Sequence, residues 1–294
     1  MAEKRSERIR ELGLEPYVME LEADGLTVVP PEVHGFPMDR FDDMIEHLLT
    51  RAEEMIGCKF TLDKGPHAEL KFASNSTGIS EGGGPPNQFL IQQLARQARV
   101  FRDLALNPVA VALIQYMIGQ RATRFSSNNS FLKWQGDYGY GPALGLHVDQ
   151  TALPLPWGRT ALTANTNWCL TDYTFEGGAL AYVPGSHRTG TRPDSGAAKR
   201  AVPVEAPKGS VIIFHGATWH GAFPRQLPGM RISIANYYRH AMVTSQEDIQ
   251  GTFPQELADD CDNPALFKAL AGFEDEFPYK QQRYPLPSVV SEVA

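Results

Sequence analysis

The chain has 294 residues, of which 42% are hydrophobic and 21% charged, and its 15 Phe, 10 Tyr and 4 Trp supply core material that a disordered chain lacks. A net charge of −7 without a long basic run argues against nucleic acid as a partner. The three cysteines are far apart in the sequence and define neither a disulfide framework nor a CxxC zinc site, so any metal must be held by His and carboxylate side chains.

The first 119 residues are predicted to be mainly helical, because apolar residues recur there at helical spacing. The predicted elements of this part, in chain order, are a helical region over residues 1–20 with a break near Pro16, a β-rich run at 26–30, a helix over 38–56, a Gly/Pro-rich loop at 80–86, and one or two helices over 87–118 with a break at Pro108.

Residues 120–240 change to β-branched and aromatic sequence with frequent turn residues. Many short strands without βαβ alternation, and the absence of a GxGxxG motif, favour an antiparallel sandwich or barrel. The predicted strands are 124–133, 144–148, 161–170, 179–183, 209–215 and 231–239. Residues 241–294 return to helix-compatible, acidic sequence and end in a Pro-containing tail.

No internal repeat or long linker divides the sequence, so we expect a single domain over residues 1–294. The N-terminus is charged where a secretory signal would be apolar, and no apolar stretch approaches the ~20 residues that cross a bilayer. The sequence therefore predicts a cytoplasmic protein without a membrane partner. It leaves the oligomeric state open, a homodimer included.

Among the eight histidines, His147 is distinctive because Asp149 follows two residues later. Side chains at positions i and i+2 of a strand point to the same face, so this imidazole and this carboxylate can converge on one point. They would form two thirds of a 2-His-1-carboxylate facial triad for iron. An isolated HxD tripeptide also arises by chance and can form a surface hydrogen bond.

Three later histidines could complete such a triad, namely His187, His215 and His220. His220 follows an apolar strand, and Arg231 opens the next one. A buried arginine needs an anionic partner, and a carboxylate would satisfy its planar fork. The alternative is a strand-end arginine that reaches solvent.

The order of HxD, the segment GALAYVPGSH at 178–187, the segment FHGATWHG at 214–221 and Arg231 resembles the phytanoyl-CoA dioxygenase family of iron(II)- and 2-oxoglutarate-dependent oxygenases. The resemblance covers roughly residues 120–240 and implies a double-stranded β-helix (jelly-roll, cupin-like) core with flanking helices. It also implies that His147, Asp149 and His220 are the iron ligands and that Arg231 binds the distal carboxylate of 2-oxoglutarate. His187 would then belong to a turn beside the site, and His215 would pack nearby.

Further cosubstrate contacts are expected on two strands. Related enzymes present small polar side chains to 2-oxoglutarate where Asn165 and Asn167 share a face of one strand. Asn129, on the strand before HxD, is a further inward polar candidate. Buried amides need hydrogen-bond partners, which a dicarboxylate supplies, although asparagines at strand ends also serve turns.

Loops on both sides of HxD carry the aromatic residues Tyr138, Tyr140 and Trp157. These could form a lid over an apolar or ring-bearing substrate, or they could be ordinary loop anchors. Because no basic cluster is present to bind the phosphates of coenzyme A, a small metabolite or natural-product intermediate is the expected substrate.

The resemblance implies Fe(II), 2-oxoglutarate as cosubstrate and O2, with decarboxylation of 2-oxoglutarate to succinate and CO2 and hydroxylation of an unactivated C–H bond. Asp149 argues against halogenation, since related halogenases have a small residue there, whereas desaturation, epoxidation and ring formation stay open. Two alternatives remain: a zinc-dependent hydrolase with the same three ligands, and a non-catalytic ligand-binding module on the same barrel.

Overall fold

The computed structural model describes residues 2–70, 87–136, 143–151 and 153–277. The predicted loop at 80–86 lies outside these ranges, as does the end of the C-terminal tail. In the described part of the chain, no helix is long and apolar enough to cross a membrane.

Helices occupy both flanks of the chain, as predicted. They are α1 (Ala2–Glu11), α2 (Glu15–Asp24), α3 (Pro31–His34), α4 (Asp39–Ile56), α5 (Leu94–Gln97), α6 (Arg99–Ala105), α7 (Pro108–Ile118), α8 (Ile249–Thr252), α9 (Gln255–Asp259) and α10 (Pro264–Ala271). The break in the first helical region precedes Pro16, because proline is accepted in the first turn of α2, where its missing N–H leaves no bond unmade.

The centre of the molecule is antiparallel sheet. The strands are β1 (Leu26–Val29), β2 (Phe60–Thr61), β3 (Gly65–Pro66), β4 (Gln88–Ile91), β5 (Thr123–Trp134), β6 (Thr163–Cys169), β7 (Leu180–Tyr182), β8 (Val202–Val204), β9 (Val211–His215), β10 (His220–Ala222) and β11 (Met230–His240). A six-stranded sheet has the order β1-β9-β6-β11-β5-β4, a three-stranded sheet has the order β10-β7-β8, and β2 pairs with β3. This mainly β core with flanking helices confirms the predicted fold class.

Two predicted elements are wrong. Residues 88–91 form a strand rather than the start of a helix, because they pair with β5 at the edge of the large sheet. The predicted strand at 144–148 is reduced to an isolated bridge between His147 and His220. Leu144 and Gly145 have φ angles of 56° and 58°, which turn the chain out of an extended conformation. The prediction also lacked β8 and β10, which have three residues each.

The large sheet separates an apolar layer from a polar cavity, because side chains along each strand alternate between its faces. On β11, Ile232 and Ile234 belong to the main hydrophobic core, which α4 and α7 also supply. Arg231, Ser233 and Tyr237 on the same strand face the other way and line a cavity. The period-2 pattern therefore places the polar residues of the strands between the two sheets.

Candidate active site

A cavity of about 410 Å³ is lined by the inner faces of β5, β6 and β11 and by β7 and β10 of the small sheet. The predicted residues His147, Asp149, His220 and Arg231 all belong to its wall. A larger cavity of about 520 Å³ lies on the helical side of the large sheet and is bordered by residues such as Asn107 and Leu266. Its lining includes none of the predicted site residues.

The three predicted metal ligands converge on one point. Asp149 Oδ1 lies 3.7 Å from His147 Nε2 and 3.7 Å from His220 Nε2. Reciprocal backbone bonds between the two histidines fix this geometry: His147 N donates to His220 O at 2.8 Å, and His220 N donates to His147 O at 3.0 Å. Among the described residues, this is the one group of three or more His, Cys, Asp or Glu side chains with donor atoms close enough for a metal.

Both imidazoles are oriented by backbone carbonyls. Nδ1 of His147 lies 2.8 Å from Gly145 O, and Nδ1 of His220 lies 2.9 Å from Thr218 O. Since a carbonyl can only accept, each Nδ1 donates, and each Nε2 keeps its lone pair for the shared point. Burial lowers the pKa of His220 to about 4 against the attraction of Asp149, so its imidazole is neutral at pH 7, as a metal ligand must be.

Asp149 is held by its own partners. Asn165 Nδ2 donates to Asp149 Oδ2 at 2.5 Å, so Oδ1 stays available on the side of the two histidines. The Asp149 backbone donates to Gly216 O at 2.9 Å and accepts from Tyr237 Oη at 3.2 Å. Asn165, predicted as a cosubstrate contact, lines the cavity and places its amide nitrogen on the Asp149 carboxylate.

Arg231 lies at a different part of the cavity wall and is only 4% exposed. Its Nη1 donates to Gly178 O at 2.6 Å, and its guanidinium carbon lies 4.8 Å from the centre of the Tyr173 ring. Arg231 Nε is buried and has no hydrogen-bond partner among the described residues. The Oγ of Ser233, on the same face of β11, is likewise buried and lies beside Tyr173. The unused Nε of Arg231 fits a carboxylate, whose oxygens only accept.

Two further basic side chains, Lys133 and Arg225, lie close to Arg231. Lys133 is its direct neighbour across the β5–β11 pair, and the Lys133 Nζ donates to Phe223 O at 2.7 Å. Burial, together with the charges of Arg231 and Arg225, lowers the pKa of Lys133 to about 6. Burial and the charge of Arg231 also lower the pKa of Arg225. Arg231 lines the cavity and Arg225 adds a second guanidinium close to it, so this wall is suited to an anion.

The other predicted residues divide into three groups. Asn129 and Asn167 line the cavity, and the side-chain oxygen of each has no partner among the described residues. Trp157 is not brought to the cavity: it packs in a separate hydrophobic cluster with Val148 and Trp219. Tyr138 and Tyr140 lie outside the described residues.

His187 and His215, the two candidate ligands that lie outside the triad, pack against each other beside the site. The rings of His187 and His215 have centroids 5.4 Å apart, and neither residue lines the cavity. Nδ1 of His215 accepts from Ala217 N at 3.0 Å. Both residues therefore occupy the places that the family resemblance implies for them.

Sequence reasoning missed several residues of this wall. Ser233 could have been found, since it follows Arg231 at the i+2 spacing that singled out His147 and Asp149. Tyr173 and Glu247 carried no such signal. Tyr173 reaches the site by packing under Arg231, and Glu247 does so because the segment before α8 folds across β5.

Comparison with known proteins gives three relevant findings. The family model for phytanoyl-CoA dioxygenase (PhyH) matches residues 23–233. Dioxygenase af480 of Aspergillus fumigatus is 30% identical to this chain over 198 residues, which are 63% of this chain. This chain spans only 61% of that relative's length.

Solved structures share the fold at low identity. The epimerase SnoN in complex with Fe3+, alpha ketoglutarate and nogalamycin RO has a TM-score of 0.57 and 20% identity, over 79% of this chain and 85% of SnoN. HygX from Streptomyces hygroscopicus, with nickel, 2-oxoglutarate and hygromycin B bound, has a TM-score of 0.54 and 15% identity, over 79% of this chain and 90% of HygX. At these identities the likeness concerns the fold.

Proposed function

The chain belongs to the phytanoyl-CoA dioxygenase family, and from this premise we propose that it is an Fe(II)- and 2-oxoglutarate-dependent dioxygenase that hydroxylates a C–H bond of a small molecule. The observation that carries the proposal is the convergence of His147 Nε2, His220 Nε2 and Asp149 Oδ1 in a cavity that also presents Arg231. SnoN and HygX, which share the fold, were solved with a metal and this cosubstrate, and that supports the assignment.

The residues of the cavity fit both groups. Two imidazoles and one carboxylate form the 2-His-1-carboxylate set that holds Fe(II) and leaves coordination positions open. Arg231 offers a buried, unused donor for the distal carboxylate of 2-oxoglutarate, and Ser233 offers a buried hydroxyl. When bound, Fe(II), 2-oxoglutarate and O2 supply the oxidising power, with 2-oxoglutarate converted to succinate and CO2.

The protein contributes orientation and exclusion of water. Gly145 and Thr218 hold the two imidazoles by their Nδ1 atoms, and Asn165 holds the outer oxygen of Asp149. These partners fix the ligands before the metal arrives, which raises metal affinity. Gly178 and Tyr173 likewise hold the guanidinium of Arg231 in place.

The reaction type follows from the ligand set only in part. With Asp149 present, no ligand position is vacated for halide, so halogenation is disfavoured. Hydroxylation is the default outcome of this chemistry, although SnoN, on the same fold, is an epimerase. The zinc-hydrolase alternative leaves the cationic wall around Arg231 without a role, and the intact donor set counts against a non-catalytic binding module.

The test is to add Fe(II) and 2-oxoglutarate to the protein without oxygen and to record the weak visible charge-transfer band of the chelate. We expect a band in wild type, its loss in His220→Ala, and a much higher 2-oxoglutarate requirement in Arg231→Met. His67→Ala, which removes an exposed histidine outside the cavity, is the matched control. Absence of the band in wild type, with tight zinc binding instead, would favour the hydrolase.

A further inference from the structure

The cavity contains a second carboxylate that the proposed iron and 2-oxoglutarate sites do not use. Glu247 lines the cavity and is only 8% exposed. Its Oε1 accepts a hydrogen bond from the backbone N of Asn128 at 3.0 Å. Its Oε2 is buried and has no hydrogen-bond partner among the described residues. An unpaired buried carboxylate oxygen is unfavourable, so this position calls for a donor from a ligand.

The surroundings of Glu247 keep it fixed in the wall. Its backbone N donates to Ser126 O at 3.0 Å. Burial raises the pKa of Glu247, and the backbone groups of Asn128 and Gln93 and the charge of Arg96 act in the opposite direction. The backbone of two residues therefore holds the Glu247 carboxylate in the wall of the cavity.

The neighbourhood of Glu247 is polar and lies at the edge of the large sheet. Gln246 Oε1 accepts from Ser127 Oγ at 2.5 Å, and both residues line the cavity. Gln92 adds another amide to the same wall, beside the apolar side chain of Leu90. The wall near Glu247 is therefore rich in hydrogen-bonding side chains.

The strand positions next to Asp149 and Glu247 give an estimate of how far apart these two carboxylates lie. Asn165 of β6 holds Asp149, Asn128 of β5 holds Glu247, and β11 lies between these two strands. Two strand spacings of ~4.8 Å, and the further hydrogen bond from Asn128 outward to Glu247, put the two carboxylates more than about 10 Å apart. A substrate lies between them, so its donor and its oxidised carbon are closer together than the two carboxylates.

We propose that Glu247 binds a hydrogen-bond donor of the substrate, and that the substrate is an amine or, less tightly, an alcohol whose donor is separated from the oxidised carbon by several bonds. This inference rests on the proposed function, which places the oxidised carbon beside the triad. The amine is the better match. The metal balances Asp149 and 2-oxoglutarate balances Arg231, whereas Arg96, the cation that acts on Glu247, is not part of the described cavity lining.

The experiment compares three probes that share one ring: cyclohexylamine, cyclohexanol and cyclohexanecarboxylate. Protein is first saturated with Fe(II) and 2-oxoglutarate without oxygen, as judged by the chelate band, and each probe is titrated by calorimetry. We expect the amine to bind most tightly and the carboxylate least. Glu247→Gln keeps an acceptor oxygen but loses the charge, so it should weaken amine binding by roughly tenfold or more and alcohol binding much less. Glu46→Gln, an exposed position on α4, is the control.

A second variant covers the case in which Glu247→Gln does not fold. Leu90→Trp fills the same end of the cavity without altering the carboxylate, and it should weaken binding of amine and alcohol alike. Equal affinity for the three probes, no detectable amine binding, or unchanged amine binding in Glu247→Gln would overturn the proposal while the chelate band upholds the iron site. Absence of the band would refute the proposed function instead, and the same probes on metal-free protein would still test Glu247.

Discussion

Replacing Arg231 with methionine should separate a cosubstrate ligand from a structural arginine. The variant keeps the apolar stem over Tyr173 but loses the charge and one hydrogen bond to Gly178 O. That bond is worth roughly 1.5–3 kcal/mol of folding stability. Its loss is partly offset, because the charge also repels Arg225. We therefore expect the ligand-free variant to lose only about 1 kcal/mol in free energy of unfolding.

The effect on the cosubstrate should be far larger. A carboxylate on the guanidinium forms two charge-assisted hydrogen bonds, together worth roughly 3–6 kcal/mol, so the Kd for 2-oxoglutarate should rise roughly 10²- to 10⁴-fold. Calorimetric titration of the Fe(II)-loaded protein without oxygen measures this Kd. Denaturant titration of the ligand-free protein measures the stability.

Arg225→Met is the matched control, because it removes the same charge from the same wall. Arg225 donates through Nε, Nη1 and Nη2 to the backbone oxygens of Gly229, Gly177 and Pro228. Its loss leaves three carbonyls without this donor, so we expect about 3 kcal/mol or more of destabilisation and a Kd within roughly tenfold of wild type. If Arg231→Met instead loses as much stability as Arg225→Met and binds 2-oxoglutarate normally, Arg231 is a structural arginine and the reasoning is refuted.

Three other predictions follow from individual contacts. Asn165→Ala removes the donor to Asp149 Oδ2 and should weaken iron binding roughly 10- to 100-fold in chelator competition; an unchanged affinity would contradict the assigned role. Lys133 has a pKa of about 6 in the fold against 10.5 as its ordinary value. The unfolded chain thus binds more protons between these limits, and stability should rise with pH from about 6 upward. Lys133→Met should flatten that rise in denaturant titrations at a series of pH values, and an equal slope in both proteins would count against the burial of the ammonium. Arg102, whose side chain is 2% exposed, donates to Asp260 Oδ2 at 2.6 Å, so Arg102→Met should lower the free energy of unfolding by about 2–4 kcal/mol; a loss below about 1 kcal/mol would show that the pair is dispensable.

The sequence predicted those elements whose signal is local. The longer strands β5, β6, β9 and β11 alternate or run apolar over five or more residues. A pattern of that length can be recognised in the sequence without knowledge of the partner strand. Strands β4, β7, β8 and β10 have three or four residues, and their conformation depends on a partner strand distant in sequence. Only β7 of these was predicted, whereas β4 was taken for the start of a helix.

The site shows the same division between local and distant signals. His147 and Asp149 stood out because they are two residues apart, but their convergence comes from the bridge to His220 rather than from a regular strand. Three distant histidines were equivalent by composition, and the choice of His220 required the family resemblance. The cavity position of Glu247 depends on a hydrogen bond to Asn128, which no pattern in the acidic C-terminal sequence reveals.

Arg231 and Glu247 give the two ends of the cavity opposite charges, which bears on where the proposed dicarboxylate and the proposed amine can bind. In the strand register, Arg231 lies opposite Lys133 of β5. Glu247 accepts a hydrogen bond from the backbone of Asn128 on the same strand. At ~3.3 Å per residue, these two strand positions are roughly 16 Å apart. A charge in contact with its partner at 4 Å gains about 4 kcal/mol at an effective dielectric of 20, but about 1 kcal/mol at 16 Å. An amine placed beside Arg231, or a dicarboxylate placed beside Glu247, would exchange that gain for a repulsion of similar size. If 2-oxoglutarate binds at Arg231 as proposed, the same wall should exclude a cationic substrate from the cosubstrate position, and Glu247 should direct it to the opposite end.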